Sequence, residues 1–279
     1  ASCPRPPSEP MKDQQSGAIR WDGGWHQAAP PPSPQECPIA IVIDGMSQAV
    51  LMATPHDLRD FALGFALTEG LIASPADVQD YEEAAVEAGG FPAREARLWL
   101  RPGLAAGLAA RRRSMVGPVG CGLCGVDSIA AALPAVVPVA SDWTMPPEDV
   151  ARAMDALAEG QLLRRVTPAI HGAAFWDGTR AITREDVGRH NALDKLAGAL
   201  AQAGIDAGQG AIVMSSRLSV DLVQKAARLG APVLIGASAP TGLALDWATR
   251  AGITLIARAR GAVFDLYTHP RRIAGSRGL

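Results

Sequence analysis

Short apolar runs alternate with segments of helical periodicity through the last third of the chain, and this alternation limits the possible folds more than any other feature. Strands are predicted at residues 211–214, 232–236 and 253–257, with helices at 219–229 and 243–251 between them. A further strand at 263–267 is expected at the edge of the sheet. The pattern predicts a layered α/β fold class for the C-terminal half.

The first half of the chain predicts a smaller mixed domain. Residues 39–44 and 49–54 have the pattern of two strands in a hairpin, and apolar residues then repeat at helical spacing from Leu58 to Gly70. Residues 97–100 are a candidate for a short strand. We therefore expect a two-part chain, with an N-terminal α+β domain at 39–142 that ends in a mobile cysteine loop.

Two further regions complete the predicted organisation. Residues 1–38 contain nine prolines and no apolar periodicity, which predicts a disordered Pro-rich tail. Residues 136–142 have the composition of a connection, and a helix is predicted at 147–159. The second domain is therefore expected at 143–279.

Charge and hydropathy exclude several classes of function. The 26 basic and 28 acidic residues give a formal net charge of −2, which argues against a general nucleic-acid-binding surface. No apolar run approaches the roughly 18 residues that span a bilayer, and the N-terminal stretch lacks a secretory-signal pattern. We therefore expect a cytoplasmic protein without nucleic-acid or membrane partners. In that reducing compartment cysteines indicate chemistry or metal binding before disulfides.

Cys121 and Cys124 lie in a glycine-rich stretch that disfavours both helix and strand. Small neighbours leave a sulfur open to attack, and a second thiol nearby lowers its pKa or resolves an intermediate. This pattern favours thiol exchange, but half of a zinc site and an inert pair stay open as alternatives. A structural zinc would need scattered further ligands such as His171, His190 or Cys37.

Polar loops follow three predicted strands in succession. The residues are Ser215, Ser216 and Arg217 after the first strand, Ser238, Ala239, Pro240 and Thr241 after the second, and Arg258 to Gly261 after the third. Ligands in α/β sheets favour the carboxyl ends of strands. The three loops are therefore predicted to frame one pocket.

Another candidate site is the predicted helix after Glu185-Asp186, which has Arg189, His190 and Asn191 in its first turn. A helix N-terminus with such donors suits an anion such as a pyrophosphate or a pterin phosphate. The alternative is a capping network that holds Asp194 and Lys195.

Several stretches of sequence are typical of one protein family. They are Thr54-Pro55, Leu63-Gly64-Phe65, Thr68-Glu69-Gly70, Cys121-Gly122-Leu123-Cys124-Gly125, Glu185-Asp186-Val187-Gly188-Arg189-His190-Asn191-Ala192-Leu193-Asp194-Lys195, Ser238-Ala239-Pro240-Thr241 and Tyr267-Thr268-His269-Pro270. In these stretches the chain resembles the formate dehydrogenase accessory sulfurtransferases known as FdhD.

The resemblance implies a sulfurtransferase that accepts sulfur from a cysteine desulfurase and passes it to the molybdenum bis(molybdopterin guanine dinucleotide) cofactor of formate dehydrogenase. It implies that Cys121 carries the persulfide and that Cys124 assists. It also implies that the C-terminal part is a cofactor-binding domain resembling the cytidine deaminase fold. The apoenzyme of formate dehydrogenase is then a partner, and the chain is expected to form a homodimer.

The resemblance further implies a cofactor-contacting segment near the C-terminus. Its residues here are Arg258, Ala259, Arg260, Gly261, Ala262 and Val263. The family pattern has Phe at the first of these positions, and Arg258 is expected to stack through its guanidinium plane instead. A second departure is Thr167-Pro168-Ala169, where the family has Thr-Gly-Gly.

Two other functions fit the same residues. One is a zinc- or thiol-dependent redox protein that uses Cys121 and Cys124. The other is a chaperone that carries the molybdenum cofactor without transferring sulfur, for which Cys121 would be dispensable.

Overall fold

The computed structural model describes residues 17–30, 32–104, 134–136 and 138–276. The described residues form two compact units, one up to Ser33 and one from Pro34 onward. Cys121, Cys124 and the predicted mobile loop around them lie outside the described residues.

The first unit contains a two-stranded antiparallel hairpin. Strand β1 (Ala18–Trp21) pairs with β2 (Trp25–Ala28), and the rings of Trp21 and Trp25 lie 5.2 Å apart between centroids. These strands differ from the disordered tail predicted at residues 1–38. Gly23, at φ 98°, supplies the turn, and the Trp–Trp cross-strand pair stabilises a hairpin inside a proline-rich segment.

The second unit begins with a four-stranded sheet in the order β4-β3-β6-β5. Its strands are β3 (Cys37–Ile43), β4 (Met46–Ala53), β5 (Val78–Ala88) and β6 (Phe91–Leu100). Helix α1 (Leu58–Thr68) covers one face, where alternate residues Ile39, Ile41 and Ile43 are buried. The predicted hairpin and helix are confirmed, and the strand predicted at 97–100 is the end of the longer β6.

A six-stranded sheet follows, in the order β12-β11-β10-β9-β7-β8. Its strands are β7 (His171–Trp176), β8 (Ala181–Asp186), β9 (Ala211–Met214), β10 (Val233–Gly236), β11 (Thr254–Arg260) and β12 (Val263–Leu266). Strands β9, β10 and β11 are parallel, whereas β7 and β12 run antiparallel to their neighbours. The predicted strands of this half are confirmed, and β12 lies at the sheet edge as expected.

Helices cover both faces of this sheet. They are α2 (Glu148–Gly160), α3 (Leu162–Val166), α4 (Arg189–Ala203), α5 (Val220–Arg228) and α6 (Gly242–Ala251). Apolar residues of α4, α5 and α6 pack on one face of the sheet, and those of α2 pack on the other. The α/β layering is therefore confirmed.

Helices α1 and α4 bring the two sheets into one unit by an unusually close approach. A Cβ added at Gly64 would lie 1.7 Å from Asp194 O, and one at Gly198 would lie 1.9 Å from Asp60 O. Only glycine leaves the backbones this near, which gives Leu63-Gly64-Phe65 a structural role. The boundary between residues 142 and 143 stays a prediction.

Within the described ranges, no helix is both long and apolar enough to cross a lipid bilayer.

Candidate functional site

The three strand-end loops predicted to frame a pocket lie side by side. Leu218 N donates to Ala239 O at 3.3 Å and Thr241 N donates to Leu218 O at 2.9 Å, which joins the loops after β9 and β10. Arg258 N donates to Ser238 O at 3.3 Å, which joins the loop after β10 to the end of β11. These bonds make one continuous edge, which we call the loop edge.

Strands β7 and β8 bring a fourth segment to the loop edge. Because β7 is antiparallel to β9, its first residues lie beside Ser215, whose Oγ accepts a hydrogen bond from Gly172 N at 2.8 Å. His171 pairs in register with Asp186 of β8, and the chain then enters α4. The first turn of α4, with Arg189 and His190, therefore starts from this edge.

Several predicted ligand residues use their side chains to build the edge. Ser216 is buried and its hydroxyl donates to Arg217 O at 2.9 Å, and Thr241 Oγ1 accepts from Ala244 N as the N-cap of α6. Ala259 is packed in the core. Arg217 and Arg260 are exposed, so their charges are the ones open to an anionic ligand.

Arg258 adopts a left-handed backbone, with φ of 51°, where the register between β11 and β12 shifts. Its guanidinium forms an ion pair with Asp265 across the two strands.

The second departure from the family pattern is Thr167-Pro168-Ala169. Thr167 follows the last residue of α3, and residues 168 and 169 form a turn. A turn suits proline.

Asn191 takes part in a buried network rather than facing a ligand with its amide. Its Nδ2 donates to Met52 O at 3.0 Å and to Asp186 Oδ1 at 2.8 Å. Asp186 also pairs with Lys195 Nζ at 2.7 Å, with both side chains wholly buried, and accepts from Thr54 N. This network holds Lys195, one of the two residues of the predicted capping alternative, although no side chain caps the helix at Gly188.

A second buried network joins α1, α4 and α5. Lys225 Nζ lies 2.8 Å from Asp194 Oδ1 and 2.8 Å from Glu69 Oε1, and it donates to Thr68 Oγ1 at 2.9 Å. Burial lowers the pKa of Lys225, but the two carboxylates more than offset this, and its pKa is raised. Lys225 is therefore a permanent cation among buried carboxylates.

His190 is paired one turn before Asp194 on the same helix. Its Nε2 faces Asp221 Oδ2 in the first turn of α5, and neither atom has another partner among the described residues. Burial lowers the pKa of His190 to about 4, with Asp221 acting in the opposite direction and Arg189 in the same one. His190 is therefore neutral near pH 7.

Polar side-chain atoms without a partner gather at the loop edge. Among the described residues, His171 Nδ1, Arg189 Nε and Ser219 Oγ are buried and make no hydrogen bond. Burial, followed by the charges of Arg189 and Arg164, lowers the pKa of His171. Buried polar groups are normally satisfied, so these three atoms are candidates for contact with a ligand. In the part of the chain that the structure describes, atoms of Gln161, Thr167, Trp176 and Trp247 are buried without a partner as well, so the property is not confined to the loop edge.

The structure describes one of the four cysteines, and it is not an accessible thiol. Cys37 is buried on β3, and burial raises the pKa of its thiol. No group of three or more His, Cys, Asp or Glu that could hold a metal ion occurs in the described part of the chain. The predictions for Cys121 and Cys124 concern residues outside that part.

Asp221 and Lys225 are not among the residues predicted for the site. They are charged residues spaced i, i+4 on α5, and both are buried. Two charged residues one helical turn apart indicate a charged site, because buried charges need partners. The sequence does not show which residues these partners are, because they are distant along the chain.

Comparison with known proteins gives one consistent family. A model of the FdhD/NarQ family matches residues 34–274. The sulfur carrier protein FdhD of Agrobacterium fabrum is 49% identical over 244 residues, covering 86% of this chain and 88% of that protein. The protein of the same name from Cupriavidus necator is 42% identical over 270 residues, covering 95% of this chain and 92% of that protein.

A solved structure shares the fold. The crystal structure of a putative formate dehydrogenase accessory protein from Desulfotalea psychrophila superposes with a TM-score of 0.69 at 22% identity. The match covers 92% of this chain and 97% of that one.

Proposed function

The chain belongs to the FdhD/NarQ family, and we propose that it is a sulfur carrier in the maturation of formate dehydrogenase. The observation that carries the proposal is the name shared by relatives that are 42–49% identical over most of the chain. In this proposal the loop edge is the ligand site, and Cys121 and Cys124 are the reactive thiols.

We infer that Cys121 acts through a persulfide. Its thiolate attacks the outer sulfur of a cysteine desulfurase persulfide, a new sulfur–sulfur bond forms on Cys121, and the donor cysteine leaves as a thiolate. The acceptor then bonds to the outer sulfur, the sulfur–sulfur bond on Cys121 breaks, and Cys121 leaves as a thiolate. Cys124 assists by lowering the pKa of Cys121 or by protecting the intermediate.

We propose that the acceptor substrate, molybdenum bis(molybdopterin guanine dinucleotide), binds at the loop edge. Arg217 and Arg260 are exposed cations there, and Arg189 Nε and Ser219 Oγ are buried donors without partners among the described residues. Such groups suit the phosphates of a dinucleotide. Arg258 contributes its guanidinium face while Asp265 holds it in place.

Several finer features remain part of the proposal. They are a cytoplasmic location, a homodimer, transfer to the formate dehydrogenase apoenzyme and a likeness of the C-terminal part to the cytidine deaminase fold.

The test is formate dehydrogenase activity in cells that lack their own carrier. Cys121→Ala should abolish activity, Cys124→Ala should reduce it by a similar or smaller amount, and Cys3→Ala serves as the matched control. Full activity with Cys121→Ala would instead support a chaperone that carries the cofactor without sulfur. Bound zinc in the purified protein, with no transfer of sulfur, would support the redox alternative.

A further inference from the structure

His190 and Asp221 form a pair in the first turns of two helices at the loop edge. Helix α4 starts after β8, and α5 starts directly after the loop that contains Ser215 and Ser219. The side chains of His190 and Asp221 are only 12% and 8% exposed. A carboxylate this deeply buried requires a hydrogen-bond donor.

The surroundings determine which group supplies that donor. Lys225, the cation one turn further along α5, is already held by Asp194 and Glu69. Arg189 and Lys225 both act against a positive charge on His190, whereas Asp221 and Glu69 favour it. Burial acts with the two cations, and the pKa of His190 is lowered to about 4.

A neutral imidazole carries one hydrogen, so the partner of one ring nitrogen fixes the role of the other. An ionised carboxylate only accepts hydrogen bonds. Nε2 must therefore carry the hydrogen and donate it to Asp221, which leaves Nδ1 as a bare acceptor.

We propose that Asp221 holds His190 as the Nε2–H tautomer, so that Nδ1 accepts a hydrogen bond from an N–H or O–H group of the ligand. The matching donors on a nucleotide cofactor are the ring and amino N–H groups of a guanine or a pterin, and the ribose hydroxyls. Asp221 is then a positioning residue. The identity of the ligand rests on the proposed function, whereas the tautomer does not.

The proposal changes the role expected for the first turn of α4. A phosphate oxygen at neutral pH offers no hydrogen to Nδ1, so His190 does not serve as the anion-binding group. Arg189 alone keeps that role, because its guanidinium is always charged.

The tautomer is measurable in the free, full-length protein by ¹⁵N NMR of labelled histidines at pH 7. His190→Gln assigns the resonances by their loss. We expect a protonated Nε2 and an unprotonated Nδ1. Asp221→Leu should lessen this preference, because no acceptor then faces Nε2. Asp246→Asn, at an exposed acid on α6, should leave it unchanged. A protonated Nδ1 or an imidazolium at pH 7 would overturn the proposal.

Ligand recognition is tested with GDP and with inorganic pyrophosphate, each titrated by calorimetry and by the same NMR experiment. GDP should shift the Nδ1 resonance and pyrophosphate should not. Asp221→Leu should weaken GDP binding by about threefold to tenfold, the effect of one hydrogen bond. An unmoved Nδ1 with GDP bound, or an equal shift with pyrophosphate, refutes the contact. Absence of nucleotide binding refutes both the ligand site at the loop edge and the contact of His190 Nδ1 with the ligand. The tautomer in the free protein still decides whether Asp221 positions His190.

Discussion

His190 on helix α4 lies against Asp221 on helix α5, and one helical turn further along both helices Asp194 pairs with Lys225. The two pairs join the helices at the loop edge and continue to α1 through Glu69. A ligand that contacts the first turn of α4 is therefore connected by packed, paired side chains to the N-terminal sheet.

The His190 pair predicts a pH dependence of stability. The pKa of His190 is about 4 in the folded protein and 6.5 for a free histidine. Between pH 4 and pH 6.5 the unfolded chain therefore binds a proton that the folded chain does not. The free energy of unfolding should therefore fall as pH drops from about 6.5 toward about 4. Urea unfolding at several pH values measures this. His190→Gln should reduce the dependence, and part of what remains is due to His171, whose pKa is also lowered.

Removing the buried cation should destabilise the protein strongly. Lys225→Met leaves the buried Asp194 unpaired, and we expect a loss of about 3–5 kcal/mol in the free energy of unfolding. Adding Asp194→Asn should recover part of the loss, and a double-mutant cycle in urea measures the coupling. A loss below about 1 kcal/mol in the single variant would show that the pair contributes little.

The helix crossing should not tolerate a methyl group. Gly198→Ala places a Cβ 1.9 Å from Asp60 O, so the helices must separate. We expect a loss of about 1–3 kcal/mol or more. Gly242→Ala is the matched control, because its Cβ meets nothing within 4 Å. Equal thermal stability of the two variants would contradict the close approach.

The parts of the fold that sequence predicted best have regular apolar patterns. Strands β9 to β11 are short runs buried on both faces, and the helices between them repeat at 3.6 residues. Strand β5 was missed because it is an exposed edge strand rich in acids, and the start of β6 was missed with it. Strand β7 begins with His171 followed by the small residues Gly172, Ala173 and Ala174, which carry little strand signal.

The candidate site was also predictable only where it depends on regular sequence patterns. The strand-end loops were predictable because parallel strands end at one edge of a sheet. The tautomer of His190 was not predictable from the sequence. It depends on Asp221, which the packing of α4 on α5 brings near. Asn191 has a donor type that suits a ligand or a cap equally, and only its bonds to Met52 and Asp186 distinguish the two.

Arg260 should contribute to nucleotide binding. GDP carries only part of the contacts of the full cofactor, so we expect micromolar or weaker affinity. Arg260→Ala should weaken it by about threefold to tenfold by removing one exposed cation. Calorimetric titration is the measurement, with the exposed Arg250→Ala on α6 as the control. Unchanged affinity in Arg260→Ala would remove this residue from the site.

The central claim is that Cys121 carries sulfur, and mass spectrometry tests it directly. The full-length protein is incubated with a cysteine desulfurase and cysteine, digested without reductant, and searched for peptides with one added sulfur atom. We predict the added sulfur on Cys121, its loss in Cys121→Ala, and its release when a reductant is added. An unmodified Cys121 under conditions in which the desulfurase is active, or sulfur found only on Cys124, would contradict the account.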